Sequence, residues 1–160
     1  MPRRAGFPAE AVECANKRGR PMPPTHGELG YTLSQIYRVS KASLFNALID
    51  ATVLQKMWGV QQITVDARVG GRTNAVYVDG GQDWSFEITY TEVVPHSALS
   101  WVTHFTRFPM KETRVMIRLE DRLAGTELTI HMENFETPEE RDANRQAWQR
   151  GLGRLAEIVR

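Results

Sequence analysis

The side chains that could do acid–base work are few and scattered. Glu87 and Glu92 share one stretch, "EITYTE", and two carboxylates that face each other can divide the roles of general acid and general base. Their separation is odd, so strand alternation puts them on opposite faces unless a bulge intervenes. Asp66, Glu127 and Glu133 stand apart from one another. None of the five adjoins a recognisable nucleophile motif, so they read as surface residues and no catalytic residue is assigned. The four histidines, His26, His96, His104 and His131, show neither H-x-H nor H-E-x-x-H spacing. A metal site would have to be assembled from distant strands, so no metal and no cofactor is expected. His104 and His131 read as solvated strand residues.

A different chemistry is suggested by "NKRGRPMPP", Asn16 to Pro24. Arg18-Gly19-Arg20-Pro21 has the form of a minor-groove hook. Glycine lets the backbone lie deep while two arginines flank it in the negative potential of a narrow A·T groove. Here Lys17 precedes the hook, but Met22-Pro23-Pro24 follow it where further cations are usual. The formal net charge is only +1. Residues 1–30 hold five cations against three carboxylates, a net +2, which leaves −1 for the remainder. No surplus of cation remains to build a phosphate-neutralising surface, so nucleic acid is not the expected partner and the segment reads as a solvated linker.

The third group is apolar. Trp84, Phe86 and Ile88 alternate along one stretch, and Trp101, Thr103 and Phe105 along the next. Trp148, Leu152 and Leu155 recur at helical spacing near the end of the chain. These nine residues either line a cleft for an apolar molecule or fill a core completely. Thr103 is the informative member, because a hydroxyl in an apolar row needs a hydrogen-bond partner in backbone, water or ligand.

The elements that must position these groups can be read from periodicity. Residues 1–29 hold five prolines without a sustained period and read as a flexible N-terminal tail. The single cysteine, Cys14, lies there, which excludes an internal disulfide and suits a reducing cytoplasm. Arg3-Arg4 is followed by no apolar segment of the kind a signal peptide needs, and no run approaches a membrane span. Residues 30–160 read as one domain, with "YTLSQIYRV" (31–39) as its first strand. Ser40 caps a helix over Lys41–Ile49, and Thr52 with Gln55 has capping-box spacing for a second, ending at Trp58.

Strands then follow to about residue 133. Gly70-Gly71 and Gly80-Gly81 suit tight hairpins, and Gly125 suits a left-handed turn position. Val115, Ile117 and Leu119 alternate inward, as do Leu128, Ile130 and Met132. One wet and one dry face per strand implies a curved antiparallel sheet packed on one side. Thr137-Pro138-Glu139-Glu140 opens a last helix with an N-cap, a proline at the first position and a capping-box glutamate. Its apolar stripe must cover the sheet's dry face. Trp148 reads as its main anchor. Gly151 and Gly153 cost about 1 kcal/mol each against alanine, which suggests either close approach to the sheet or exposed positions where glycine is tolerated.

The fold class is therefore α+β: a curved antiparallel sheet of about seven strands, two short helices, and a long C-terminal helix across the concave face. In this order the segments "VSKASLFNALID", "LQKMW", "DARVGGR", "EVVPHSALSW", "GTELTIHMENF" and "WQRGLGRLAEIV" resemble the AHSA-type branch of the START-like (SRPBCC) superfamily, the helix-grip fold, over residues 31–159. The resemblance implies a cavity between sheet and helix and a small hydrophobic ligand within it. It also implies two alternatives, a chaperone-docking module of the heat-shock ATPase activator kind and a pocket enzyme of the polyketide cyclase/dehydratase kind. Relatives usually carry a glycine a few residues before the E-x-x-P turn. This chain has Phe86 and Ile88 there, which would reshape the cavity. Oligomeric state is left open.

Overall fold

The computed structural model describes residues 29–106 and 108–160. The tail features, Cys14, His26 and the Arg18-Gly19-Arg20-Pro21 hook, lie outside the described residues.

Each helix begins where a side chain satisfies its first free amides. The Ser40 hydroxyl accepts from Ser43 N at 3.1 Å and opens α1 (Lys41–Leu48). The second cap differs from the expected one. Asp50, not Thr52, starts α2 (Ala51–Trp58), its carboxylate accepting from Val53 N at 3.0 Å. Gln55 reaches the Gln61 carbonyl instead of closing a capping box, at 2.9 Å. Thr137 caps α3 (Pro138–Val159) as the sequence predicts, accepting from Glu140 N at 3.1 Å. Glu140 in turn accepts from the backbone N–H of Glu136.

Seven strands form one antiparallel sheet. They are β1 (Leu29–Tyr37), β2 (Gln62–Val65), β3 (Arg72–Asp79), β4 (Gln82–Val94), β5 (Ala98–Phe105), β6 (Phe108–Arg122) and β7 (Gly125–Phe135), in the order β1-β7-β6-β5-β4-β3-β2. The expected seven-stranded helix-grip sheet is thus observed, with β1 starting and ending two residues earlier than the apolar pattern suggested. The two glycine pairs do different jobs. Gly80 and Gly81 both have positive φ and make the tight β3–β4 turn. Only Gly70 does so at the other pair, where residues 66–71 form a longer connection tied to β4 by Gly70 N–Tyr90 O and Tyr90 N–Gly71 O. Gly125 adopts φ 142°, outside the left-handed helical region expected for it; a Cβ there would run into the Tyr37 carbonyl.

The dry face is continuous. Ile88, Leu99, Trp101, Val115, Ile117, Leu119, Leu128, Ile130 and Met132 are buried against Leu44, Phe45 and Leu48 of α1, Leu54 and Met57 of α2, and Leu152 and Leu155 of α3. The outer face is not uniformly wet. His131 is 0% exposed and Glu133 5%, so the readings of His131 as a solvated residue and of Glu133 as a surface residue are both corrected. Its Nδ1 lies 2.9 Å from Thr32 Oγ1 and its Nε2 3.2 Å from Glu133 Oε1, while Arg114 Nε donates to Glu133 Oε2 at 2.9 Å. Burial pushes the Glu133 carboxyl up, but hydrogen bonding and charge from His131 and Arg114 outweigh it and hold the group below the usual carboxylate range. His104 stays partly exposed and pairs with Glu112 at 3.0 Å. No described helix is long and apolar enough to cross a membrane.

Candidate functional site

The backbone of α3 packs against β1, β7, α1 and α2. Over β4 and β5 the gap beneath the helix is bridged by side chains. At one end the bridge is tight. The Tyr37 hydroxyl donates to the Leu152 carbonyl at 3.0 Å, and Arg154 donates twice to the Met57 carbonyl, from Nε at 2.9 Å and Nη2 at 2.6 Å. Gly151 lets α3 approach α2 here, since a Cβ would stand 3.3 Å from the Met57 carbonyl oxygen. The close approach is therefore to a helix rather than to the sheet. Gly153 faces open space.

At the other end the bridge is aromatic. Trp58, the last residue of α2, sits with its ring centroid 5.7 Å from Phe86, 6.4 Å from Trp101 and 6.2 Å from Trp148, each in an edge-on arrangement. Trp101 and Trp148 lie 6.3 Å apart, and Phe86 lies 5.5 Å from Phe105. Trp58, Phe86, Phe105 and Trp148 are only half-buried, so solvent reaches this end while Ile88, Trp101, Thr103, Leu152 and Leu155 beneath it are closed off. Trp84 lies on the same strand face as Phe86 and donates through Nε1 to the Asp79 carbonyl of its own hairpin at 3.3 Å.

Of the nine residues singled out, Phe86, Trp101, Phe105 and Trp148 meet in the aromatic cluster. Thr103 has its partner, the indole N–H of Trp101 at 3.1 Å. Ile88, Leu152 and Leu155 belong to the core floor, and the latter two, not Trp148, anchor the helix. Two residues were missed. Trp58 completes a Leu54–Met57–Trp58 helical stripe that would have pointed to it. Thr113 lies two residues before Val115, so extending that alternation one step places it beside Thr103, its partner in register.

The paired carboxylates are also resolved. A bulge between Tyr90 and Glu92 changes the alternation of β4 and brings Glu87 and Glu92 to the same face. Each has its own cation there, Arg72 at 3.4 Å and Arg118 at 3.2 Å. On that outer face a groove of about 530 Å³ crosses β2 to β5. Two ladders of mostly polar side chains wall it, Gln62, Val76, Ser85 and Thr106 on one side and Thr64, Asn74, Glu87 and His104 on the other. Among the described residues, no three His, Cys, Asp or Glu side chains gather where a metal ion could sit. Three of the described titratable groups at the inner face are buried phenols. Burial raises Tyr31, Tyr37 and Tyr90 above the ordinary tyrosine range; the Thr73 hydrogen bond only partly offsets it at Tyr90.

Residues 38–160 match the family model described as activator of Hsp90 ATPase homolog 1-like protein. Several solved structures share the fold. A Chromobacterium violaceum protein superposes with a TM-score of 0.75 at 22% identity, covering 81% of this chain and 96% of that one. A Staphylococcus aureus protein of unknown function gives 0.71 at 14% identity, covering 82% and 93%. A Nitrosomonas europaea protein gives 0.68 at 21%, covering 82% and 94%. No curated protein matches the sequence.

Proposed function

The chain belongs to the activator of Hsp90 ATPase homolog 1-like family, and on that premise we propose that it binds a small, largely apolar molecule at the aromatic end of the sheet–helix gap. One observation carries this reading. Trp58, Phe86, Phe105 and Trp148 are large apolar side chains clustered in one place, yet they stay partly exposed above a fully buried floor. Soluble proteins seldom leave such surface wet without a use for it. A guest that covers it gains about 25 cal/mol for each Å² of apolar area removed from water. Affinity then comes from hydrophobic contact, and selectivity from the few polar groups nearby.

Native mass spectrometry of protein purified without detergent tests the reading, together with thermal shifts across lipids and aromatic compounds. A co-purifying molecule, or stabilisation by one class of compound, is expected. If neither is found, the proposal fails. A pull-down and ATPase assay with the 90-kDa heat-shock chaperone separates this reading from the docking role that the family description evokes. A pure ligand binder leaves the turnover unchanged.

A further inference from the structure

Among the described residues, three buried side-chain polar atoms have no hydrogen-bond partner: Trp58 Nε1, Thr113 Oγ1 and Arg145 Nε. Native folds leave few such atoms unpaired, because each gives up its hydration and gains no partner in return. All three belong to elements that border the gap between sheet and helix. Trp58 is the hub of the aromatic cluster. Thr113 is 6% exposed and opposite Thr103 on the inner face. Arg145 precedes Trp148 by three residues on the stripe that continues to Leu152 and Leu155, and its charge is felt by the Tyr31 phenol beneath the helix. The nearest acid on its own helix, Asp142, is taken by Arg141 at 3.0 Å. Two of these atoms are pure donors, the third can donate, and one carries a positive charge. The gap is therefore short of an acceptor, and of a negative charge in particular.

Resting on the ligand-binding reading above, we propose that the guest is an amphipathic carboxylic acid, its carboxylate held by Arg145 and its apolar body lying against Trp58, Phe86 and Trp148. A carboxylate offers about four lone-pair sites, so a single head group can accept from the guanidinium with oxygen capacity left for the Thr113 hydroxyl. A neutral alcohol leaves the guanidinium uncompensated. A cationic amphiphile is repelled by it.

Isothermal titration of the full chain with dodecanoate and dodecanol, and with 2-naphthylacetate and 2-naphthylethanol, tests this at neutral pH. In at least one pair the acid should bind about tenfold or more tightly than the alcohol, the usual scale for a hydrogen bond to a charged group. Arg145→Gln should erase that preference and leave the alcohol's affinity in place, while Arg145→Lys should keep most of it. Thr113→Val should lower acid affinity to a smaller extent. Equal binding of acid and alcohol by the unmodified chain would overturn the carboxylate assignment while leaving the apolar site standing. Binding of neither, in both pairs, would sink the site itself. An acid preference that survives Arg145→Gln would refute Arg145 as the head-group residue.

Discussion

The two ends of the sheet–helix gap are built from the same pair of elements and differ in almost every physical respect. At the Leu152 end the floor is aliphatic and dry, and the helix is tied down by Tyr37 and Arg154 onto main-chain carbonyls. At the Trp148 end the contacts are aromatic rings, edge-on around Trp58 and tilted between Trp101 and Trp148, partly wet, with polar atoms left unpaired. Main-chain clamps fix the helix without filling space, so one end holds the fold closed while the other can stay incompletely packed. The gripping element is thereby divided into a clamped end and a looser one, and the proposed guest belongs to the looser.

The sharpest way to break this division is to compare truncations. Leu155 is fully buried, and Leu155→Ala should lower unfolding free energy by about 3.5 kcal/mol in chemical denaturation, the middle of the range for a core leucine. Trp148→Ala removes a far larger side chain but only a partly buried one, and should cost only about 1–2 kcal/mol, discounted from the fully buried value. A larger loss at Trp148 than at Leu155 would reverse the assignment of the two ends. Tyr37→Phe, which deletes only the bond to the Leu152 carbonyl, should cost about 1 kcal/mol.

Smallest of all are the helix glycines. Gly153→Ala meets open space and should stabilise the chain by about 0.5–1 kcal/mol. Gly151→Ala should give less or none of that gain, because its new methyl crowds the Met57 carbonyl. Equal gains at both sites in thermal melts would mean that α2 and α3 are not in close contact.

The fold was open to reading in the sequence because its cues are local and periodic. Alternation in "DWSFEITY" and "LSWVTHF" fixed the inner face, and Thr137-Pro138 marked the start of the long helix within one residue. What escaped depended on geometry that periodicity does not carry. Asp50 and Thr52 are both good caps, and only the backbone path after α1 decides between them. The bulge after Tyr90 shifts Glu92 to the face of Glu87, against simple alternation. His131 is outward by register and buried all the same, because Thr32 and Glu133 of the sheet's outer face close around it.

The site was half legible for the same reason. Strand aromatics announced themselves by alternation, whereas Trp58 enters the cluster from a neighbouring helix, and unpaired atoms such as those of Thr113 and Arg145 are visible only once their surroundings are assembled.

Tryptophan emission tests the central claim most directly, since three of the four tryptophans, Trp58, Trp101 and Trp148, lie in the aromatic cluster. Titrating the chain and its Trp148→Ala variant with the naphthyl and dodecyl compounds should give a saturable change in the parent with at least one of them, and a weaker or absent one in the variant. An unsaturable response that is the same in both proteins for every compound would contradict a receptive aromatic end.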